Sequence, residues 1–335
     1  MEKLPIIGLL GIRLMPLTGY QIASTLDMQI LVFTPKSIHW SSQQATGLLW
    51  DGIRWNRVTC PIPRAIFNRL FTDKRDLVTR LSNIIGPNRI FNEITKFDKW
   101  DVYQALLNGD LNPHLPETHL YQPRQLLSFL QRYYQVILKP RQGRQGLNIY
   151  RIDAVDNEFY LYSNTEYPIY SFDSASDLIR YLEQRHLGKF IMQAYIPFAE
   201  VDNRVFDARL IVQKNDIGKW QVTANLSRIA LSYSYITNLC HAMTSVEEVF
   251  RYASFNPDKL YPKIKKLALQ TAITLEKSIG HLGELSVDFG VDKQGNPWII
   301  EVNGKPDKSL FREVDKQLYK AVQQAPLSYG RYLAT

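Results

Sequence analysis

The residues with the clearest chemical potential lie near the carboxyl end of the chain, in a predicted β-hairpin. Leu285–Val291 and Trp298–Val302 are rich in β-branched and aromatic residues and flank a stretch of turn-forming residues. With the turn centred midway between the two runs, Asp288 and Glu301 face each other across the hairpin. Asn303 follows two residues after Glu301 and therefore shares its face. The sequence thus predicts three oxygen-bearing side chains in one cluster.

This oxygen cluster suits a hard divalent cation. Two carboxylates in contact repel each other unless a cation lies between them, and oxygen ligands that leave coordination positions free are typical of Mg²⁺, with Mn²⁺ as an alternative. A solvated acidic hairpin is an equally weighted interpretation. We expect Asp288→Asn or Glu301→Gln to abolish metal-dependent ligand binding and to leave the metal-free fold intact or slightly stabilised, because mutual repulsion is relieved.

A second candidate site is a glycine-bearing turn after a predicted strand that ends near Lys139. Gly143 and Gly146 let backbone N–H groups approach phosphate oxygens with no Cβ in the way, and Arg141, Arg144 and Lys139 add charged donors. The turn matches neither the Gly-Lys-Ser/Thr ending of a Walker A loop nor a dinucleotide-binding fingerprint. It predicts a phosphate-binding loop, and an ordinary basic hairpin is the competing interpretation.

A third candidate site is indicated by charged residues on two long predicted strands. In Arg204–Gln213, Asp207 and Arg209 share one face, and the following strand, Trp220–Leu226, leads to Arg228. Buried charges need partners. Asp207 and Arg209 therefore either pair within the sheet or serve a ligand.

The composition is that of a globular protein. The chain has 335 residues, enough for two or three domains, and 45% of them are apolar. Its net charge of +8 favours polyanionic ligands. Nucleic acid ranks last among these, because only charge and tryptophan content support it. Two cysteines, Cys60 and Cys240, are too few for a disulfide framework and predict a reducing, cytoplasmic setting. No apolar run is long enough for a membrane helix.

The amino-terminal part shows a β-α-β rhythm that predicts a small parallel sheet. Strands are predicted at Pro5–Arg13 and Ile30–Phe33, with a short helix around Tyr20–Asp27 between them. Four arginines then recur in a segment that is predicted to be helical with a solvated basic face: Arg64, Arg69, Arg75 and Arg80.

The rest of the chain mixes helices and strands. The clearest helix, Pro262–Ile279, has an apolar stripe, a proline near its start and a glycine after its end. Other helices are predicted at Asp98–Leu107, Gln125–Tyr133 and Ser174–His186, and further strands at Gln135–Leu138 and Lys189–Ile196.

The order of these pieces resembles the ATP-grasp superfamily. A lysine-bearing helix, a lysine-bearing strand with its glycine loop, a strand ending near Gln193–Ile196 and the acidic hairpin follow one another as they do there. The chain resembles the YheC/YheD endospore coat-associated branch more closely, through IFNRL at 66–70, FDKWDVYQALL at 97–107, LPET at 115–118, LKPRQGRQG at 138–146, FDARLIV at 206–212 and IIEVNGKP at 299–306.

The resemblance implies a mixed α+β and α/β chain with an ATP-grasp fold, in which two α+β subdomains clasp ATP after a small α/β domain. The expected division is 1–92, 93–192 and 193–335. Asn148 stands where the family usually has glycine, and asparagine tolerates a positive φ better than most residues.

The resemblance also implies a role for each matching residue. Phosphate contacts are implied for Lys99 and Lys139, and a loop that folds over the phosphates for Arg141, Gly143, Arg144 and Gly146. The adenine would lie along Gln193, Ala194, Tyr195 and Ile196, with the backbone at 194–196 contacting its edge. Mg²⁺ would be held by Asp288, Glu301 and Asn303, and the transferred phosphate or acyl group would face Arg209 and Arg228.

The implied activity is ATP-dependent ligation of a carboxylate to an amine. The γ-phosphate of ATP would activate the carboxylate as an acylphosphate, which the amine then attacks, while the protein positions the reactants and neutralises developing charge. The substrates would be an amino acid, a peptide or a cell-envelope component, with a sporulation or spore-coat association. The alternative is a nucleotide-binding, non-catalytic spore-coat or scaffold protein.

Overall fold

A computed structural model describes residues 4–72, 75–143, 146–185 and 187–335. Within these residues the strands form three sheets that follow one another along the chain. Helices pack against each sheet, so the expectation of a mixed α and β architecture is confirmed.

The first sheet is mixed rather than purely parallel. Its strands are β1 (Ile6–Leu10), β2 (Gln29–Phe33), β3 (Ile38–His39), β4 (Gln44–Trp50), β5 (Trp55–Pro61), β6 (Ala65–Asn68) and β7 (Ile90–Phe91). β1 is parallel to β2 and β6, and β6 to β7, as the β-α-β rhythm predicts. The connection between β1 and β2 is a 3-10 helix, Thr18–Leu26. β4 is antiparallel to both β2 and β5. The short connection between β4 and β5 can join only antiparallel strands.

Only two of the four arginines that were expected on one helix, Arg75 and Arg80, lie on a helix. β6 is buried between β1 and β7, and helix α1 (Arg75–Ile85) begins only after it. Parallel pairing with distant strands buries the apolar side chains of β6, and this tertiary effect outweighs a local helical pattern. Arg64 and Arg69 therefore flank a strand, and Arg69 lies where β6 ends.

The second sheet carries the glycine loop. Its strands are β8 (Thr118–Leu120), β9 (Gln135–Pro140), β10 (Tyr150–Val155), β11 (Glu158–Ser163), β12 (Pro168–Phe172) and β13 (Phe190–Ala194), in the order β12-β11-β10-β9-β13-β8. The helices in this part are α2 (Lys99–Leu107), α3 (Pro123–Tyr133) and α4 (Ala175–Gln184), together with a short 3-10 turn at Asn112–His114. Leucines of α3 and α4 pack with those of the strands in one core.

The third sheet carries the acidic hairpin and is antiparallel throughout. Its strands are β14 (Glu200–Val201), β15 (Arg204–Lys214), β16 (Trp220–Ala230), β17 (Cys240–Thr244), β18 (Glu284–Val291) and β19 (Pro297–Asn303). The order is β17-β16-β15-β18-β19, and β14 pairs with β15. The helices that follow or precede these strands are α5 (Val246–Tyr252), α6 (Pro257–Ile279), α7 (Phe311–Val314) and α8 (Lys316–Ala334).

Helix α6 begins earlier than its sequence pattern predicts. Asn256 caps it by accepting a hydrogen bond from the backbone N–H of Asp258 at 2.9 Å, and Pro257 occupies the first helical position. Pro262 therefore lies inside the helix. It is tolerated because it lies on the exposed side, where water can bind the carbonyl that loses its helical partner.

Helix α8, which has no counterpart among the predicted elements, links the end of the chain to its beginning. Leu327 and Tyr329 pack in the core of the first sheet with Ile7 and Phe67. Within the described part of the chain, no helix is both long and apolar enough to cross a membrane. The expected boundary after residue 92 follows β7 directly, and the one after residue 192 falls inside β13. The three-part division remains a prediction.

Candidate active site

The acidic hairpin forms as its sequence predicts. β18 and β19 pair with Asp288 opposite Glu301 and with Ser286 opposite Asn303. Asp292 closes the turn by accepting hydrogen bonds from the backbone N–H groups of residues 294 and 296 at 3.0 and 2.8 Å. Glu301 and Asn303 line the same cavity. The predicted alignment across the hairpin is therefore confirmed.

Asp288 is bound by two arginines. Arg209 donates to both carboxylate oxygens at 2.7 and 2.6 Å, and Arg228 adds a hydrogen bond of 3.2 Å. Burial acts to raise the pKa of Asp288, which is only 2% exposed, but the two guanidinium groups outweigh burial and hold that pKa below its usual range. The premise of uncompensated repulsion between Asp288 and Glu301 is thus wrong. Asp288→Asn would instead leave two buried arginines without this carboxylate.

Asp207 pairs with Arg228 and not with Arg209. The two residues are direct neighbours across β15 and β16, with Arg228 Nε 3.1 Å from Asp207 Oδ1 and a second contact between Nη2 and Oδ2. Thr237 also donates its hydroxyl to Asp207. Direct cross-strand neighbours lie closer than residues two apart on one strand, which explains the choice of partner. Both predicted catalytic arginines therefore converge on Asp288, and both are internally paired.

The two predicted phosphate-binding lysines approach the hairpin from the second sheet and its helix. Lys99 Nζ lies 3.0 Å from Glu301 Oε1 and donates to the carbonyl of Gly143 at 3.3 Å. Lys139 Nζ donates to Gln193 Oε1 at 2.8 Å and to the Ile300 carbonyl at 3.3 Å. Burial, together with the nearby charge of Lys99 and opposed by Glu301, lowers the pKa of Lys139 to about 8.

Helix α2 delivers Lys99 to this position. Asp98 caps the helix by accepting from the backbone N–H of Trp100 at 2.9 Å. The same carboxylate accepts hydrogen bonds from Arg141 Nε at 2.9 Å, and the Asp101 carboxylate accepts one from Arg141 Nη2 at 3.2 Å. Arg141 therefore joins the start of the glycine loop to the start of α2, and its predicted phosphate contact remains a prediction.

The glycine loop packs against the segment that follows β16. Gly146 has a positive φ of 70°, and a Cβ added there would lie 2.5 Å from Asn238 Nδ2. Asn148 also has a positive φ, 58°, as its replacement of a family glycine suggests. Arg144 lies outside the described residues. The loop thus contacts Asn238, in the segment between β16 and β17, through Gly146. Through the Gly143 carbonyl it contacts Lys99.

Several polar groups of the segment expected to hold adenine already form hydrogen bonds within the protein. The side chain of Gln193 bridges Lys139 and Thr118 Oγ1, the latter at 2.7 Å. The N–H groups of Ala194 and Tyr195 donate to the carbonyls of residues 117 and 135 at 2.9 and 3.1 Å. The ring of Tyr195 packs beside the Arg151 guanidinium. Among the described residues 194–196, only the N–H of Ile196 is therefore left to donate a hydrogen bond to the edge of an adenine.

Three cavities meet at the Lys99–Glu301 pair. Two are narrow, about 40 and 100 Å³, and both are also lined by Lys139. The third is about 550 Å³ and extends to Asn303 and the end of β6. Small-molecule sites are about 300–1,000 Å³, so the two narrow cavities must widen to admit a nucleotide.

The side chains available for Mg²⁺ offer the right donor chemistry. Carboxylate and amide oxygens from Glu301 and Asn303 are suitable ligands, and Asp288 would complete the set. In this conformation cations already neutralise both carboxylates. Among the residues described, no cluster of three or more His, Cys, Asp or Glu side chains forms a ready metal site. A metal at Glu301 would share this carboxylate with Lys99 or displace Lys99, and Glu301, with one bound cation, is freer to bind a metal than Asp288, which has two.

Two residues of the site, Thr118 and Ser286, were not predicted from the sequence. Thr118 orients Gln193, and only its place in the LPET motif pointed to it. Ser286 precedes Asp288 by two residues on β18, so strand periodicity could have placed it on the same face. Its side chain is buried beside the widest of these three cavities.

The three sheets and the site between them define an ATP-grasp fold. The chain is similar to a solved structure of the D-cycloserine synthetase DcsG, with a TM-score of 0.55 and 13% identity over 96% of this chain and 99% of that one. It is also similar to an ADP complex of purK, N5-carboxyaminoimidazole ribonucleotide synthetase, with a TM-score of 0.53 and 15% identity over 92% of this chain and 72% of that one. The expected fold is thereby confirmed.

Within this class the chain belongs to the YheC/D-like ATP-grasp family, whose model matches residues 88–333. A relative is the endospore coat-associated protein YheD of Bacillus subtilis (strain 168), which is 30% identical over 326 residues. The match covers 90% of this chain and 70% of that relative. The family resemblance drawn from the motifs is confirmed.

Proposed function

We propose that the chain is an ATP- and Mg²⁺-dependent ligase that joins a carboxylate to an amine through an acylphosphate. The observation that carries this proposal is the convergence of four cations on Asp288 and Glu301 where the second and third sheets meet. The cations are Lys99, Lys139, Arg209 and Arg228. A site with more positive than negative side chains attracts a polyphosphate.

The lysines bind the phosphates in this proposal. Lys99 exchanges Glu301 for phosphate oxygens, and Lys139 gains charged partners in place of neutral carbonyl oxygens. Glu301 and Asn303, with Asp288, would hold Mg²⁺, which when bound neutralises the phosphates' charge. Gln193–Ile196 would lie along the adenine. These contacts position the reactants, and little covalent chemistry falls to the protein.

The arginines stabilise the charge that develops during transfer. An oxygen of the substrate carboxylate attacks the γ-phosphorus, and the bond to ADP breaks. The amine then attacks the acyl carbon, loses a proton, and phosphate leaves. Arg209 and Arg228 are fixed by Asp288 and Asp207, so they are already oriented when charge develops.

A second function is favoured by one feature of the site. Two arginines occupy Asp288, and the relative is named as a coat-associated protein, which together fit a spore-coat protein that binds nucleotide without turning it over. The two proposals share nucleotide binding and differ in turnover.

One experiment separates them. ADP release is measured with Mg²⁺ and ATP against amino acids, short peptides and cell-envelope fragments, and calorimetry follows binding of a non-hydrolysable ATP analogue. The ligase predicts ADP release that depends on both a carboxylate and an amine. Binding of the analogue without substrate-dependent ADP release would support the coat protein, and no binding at millimolar analogue would contradict both.

A further inference from the structure

The widest of the three cavities that meet at the Lys99–Glu301 pair extends well beyond the residues proposed to hold the nucleotide. It reaches from Glu301 and Asn303 to Arg69 at the end of β6 and to Gln323 on α8. Its volume of about 550 Å³ falls within the range of small-molecule sites, about 300–1,000 Å³. A small substrate can therefore place one end beside the proposed phosphoryl-transfer residues and the other against the first sheet.

Arg69 brings a positive charge to the far wall of this cavity. It is half-buried, and its guanidinium carbon lies 4.8 Å from the centre of the Tyr20 ring. Within residues 4–72, 75–143, 146–185 and 187–335, no carboxylate forms an ion pair with it. Arg209 and Arg228 on the same cavity are both paired. A guanidinium that is held against a ring and has no acidic partner among the described residues can bind a carboxylate or a phosphate through two parallel hydrogen bonds.

Two residues that line the cavity, Ser286 and Gln323, each carry a buried polar atom with no partner among the described residues. Ser286 Oγ and Gln323 Oε1 make no hydrogen bond within the part of the chain that the structure describes. Ser286 is fully buried and Gln323 is 7% exposed. Buried polar atoms are rarely left unpaired in proteins, so each points to a ligand group or a bound water. The Gln323 amide oxygen accepts only, and a ligand N–H would satisfy it.

We infer that this cavity binds a substrate of the amino-acid or short-peptide type that carries a second anionic group, held by Arg69. This inference rests on the proposed function, because it places the carboxylate to be activated beside Glu301 and Asn303. The anionic group bound by Arg69 is remote from that carboxylate. Arg69 thus determines specificity without contacting the reacting atoms, and Gln323 accepts an N–H from the same substrate.

Three matched pairs of probes test this inference. They are glutamate with glutamine, alanyl-glutamate with alanyl-glutamine, and phosphoserine with serine. Calorimetry on the full chain measures each, with and without Mg²⁺ and a non-hydrolysable ATP analogue. At least one anionic probe should bind roughly 10- to 100-fold more tightly than its neutral partner, as loss of a charged hydrogen-bonded pair predicts. The pair that shows this difference distinguishes carboxylate from phosphate.

Variants of Arg69 decide whether that residue is responsible. Arg69→Gln should remove the preference for the anionic probe and leave nucleotide affinity unchanged. Arg69→Lys keeps the charge without the planar fork and should retain part of the preference, which also covers the case in which Arg69→Gln does not fold. Arg80→Gln is the matched control. Arg80 also lies over a ring, 3.8 Å from the centre of Trp40, but it does not line the cavity.

The results of these experiments distinguish a failure of the anion site from a failure of the proposed ligase function. Equal binding of both members of all three pairs, or a preference that survives Arg69→Gln, would overturn the inference even if nucleotide binds. A preference that depends on Arg69, in a chain that binds no nucleotide, would support the anion site and overturn the ligase.

Discussion

Two groups of cations face the same acidic hairpin, and they are held in different ways. The arginine side consists of Arg209 and Arg228 on neighbouring strands of one sheet. Both are bonded to buried carboxylates, Asp288 and Asp207, and all four side chains are less than 10% exposed. The arginine side is therefore neutralised from within and fixed by the sheet.

The lysine side is assembled across a gap between two sheets. Lys99 comes from helix α2 and reaches Glu301, with side chains 16% and 23% exposed. Lys139 donates to the neutral oxygens of Gln193 and residue 300, and its pKa of about 8 reflects the cost of burying its charge. A phosphate that enters therefore gains more on this side, and we expect the lysine side to rearrange on binding while the arginine side stays in place.

The largest expected effect comes from removing one carboxylate on each side. Asp288→Asn should lower the free energy of unfolding by about 3–5 kcal/mol, because two buried arginines lose a charged partner. Glu301→Gln should lower it by less than about 1 kcal/mol, because the Lys99 pair is partly solvated. Equilibrium urea unfolding measures both. Equal losses would show that the two sides are not held differently.

The next effect is the pH dependence of nucleotide binding. The apo Lys139 amine has a pKa of about 8, and phosphate binding favours its charged form. Below pH 8 the amine is already protonated, so binding takes up almost no proton there. Above pH 8 uptake should approach one proton, and affinity should fall about tenfold per pH unit until the pKa of the bound form is reached.

Calorimetry in two buffers of different ionisation enthalpy, at pH 7 and pH 9, measures this proton uptake. Lys139→Arg is the control, because a guanidinium stays charged over the whole range and should abolish the uptake. Proton uptake that is the same at both pH values would contradict the assignment of Lys139 to the phosphates.

The smallest effect concerns one further contact between the second and third sheets' parts of the chain. Tyr235 follows β16, and its hydroxyl accepts from the Asn164 N–H at 3.0 Å and lies 3.3 Å from the Ile149 carbonyl in the second sheet's part. Tyr235→Phe should cost about 1 kcal/mol and speed hydrogen exchange of the Asn164 amide. Tyr233→Phe, two residues away and 57% exposed, is the control. Unchanged exchange in Tyr235→Phe would show that this contact does not hold the parts together.

The hairpin could be predicted from sequence because its geometry is local. The turn and the strand period alone set Asp288 opposite Glu301. The partner of Arg209 could not be predicted in this way. Asp288 lies 79 residues away, and the register between β15 and β18 is set by the packed sheet. Helix α8 escaped prediction because Pro326 and Gly330 interrupt its pattern, and packing on both the first and the third sheet stabilises it.

The most direct test of the central claim removes the charge of Arg228 without burying an unpaired acid. Arg228→Met alone would leave the buried Asp207 carboxylate without its charged partner. The double variant Asp207→Asn/Arg228→Met is therefore compared with Asp207→Asn. ADP release is measured with the carboxylate and amine that support wild-type turnover. The ligase predicts a loss of about a hundredfold in the double variant, with roughly unchanged affinity for the ATP analogue. Equal ADP release from the two variants would contradict a role for Arg228 in phosphoryl transfer.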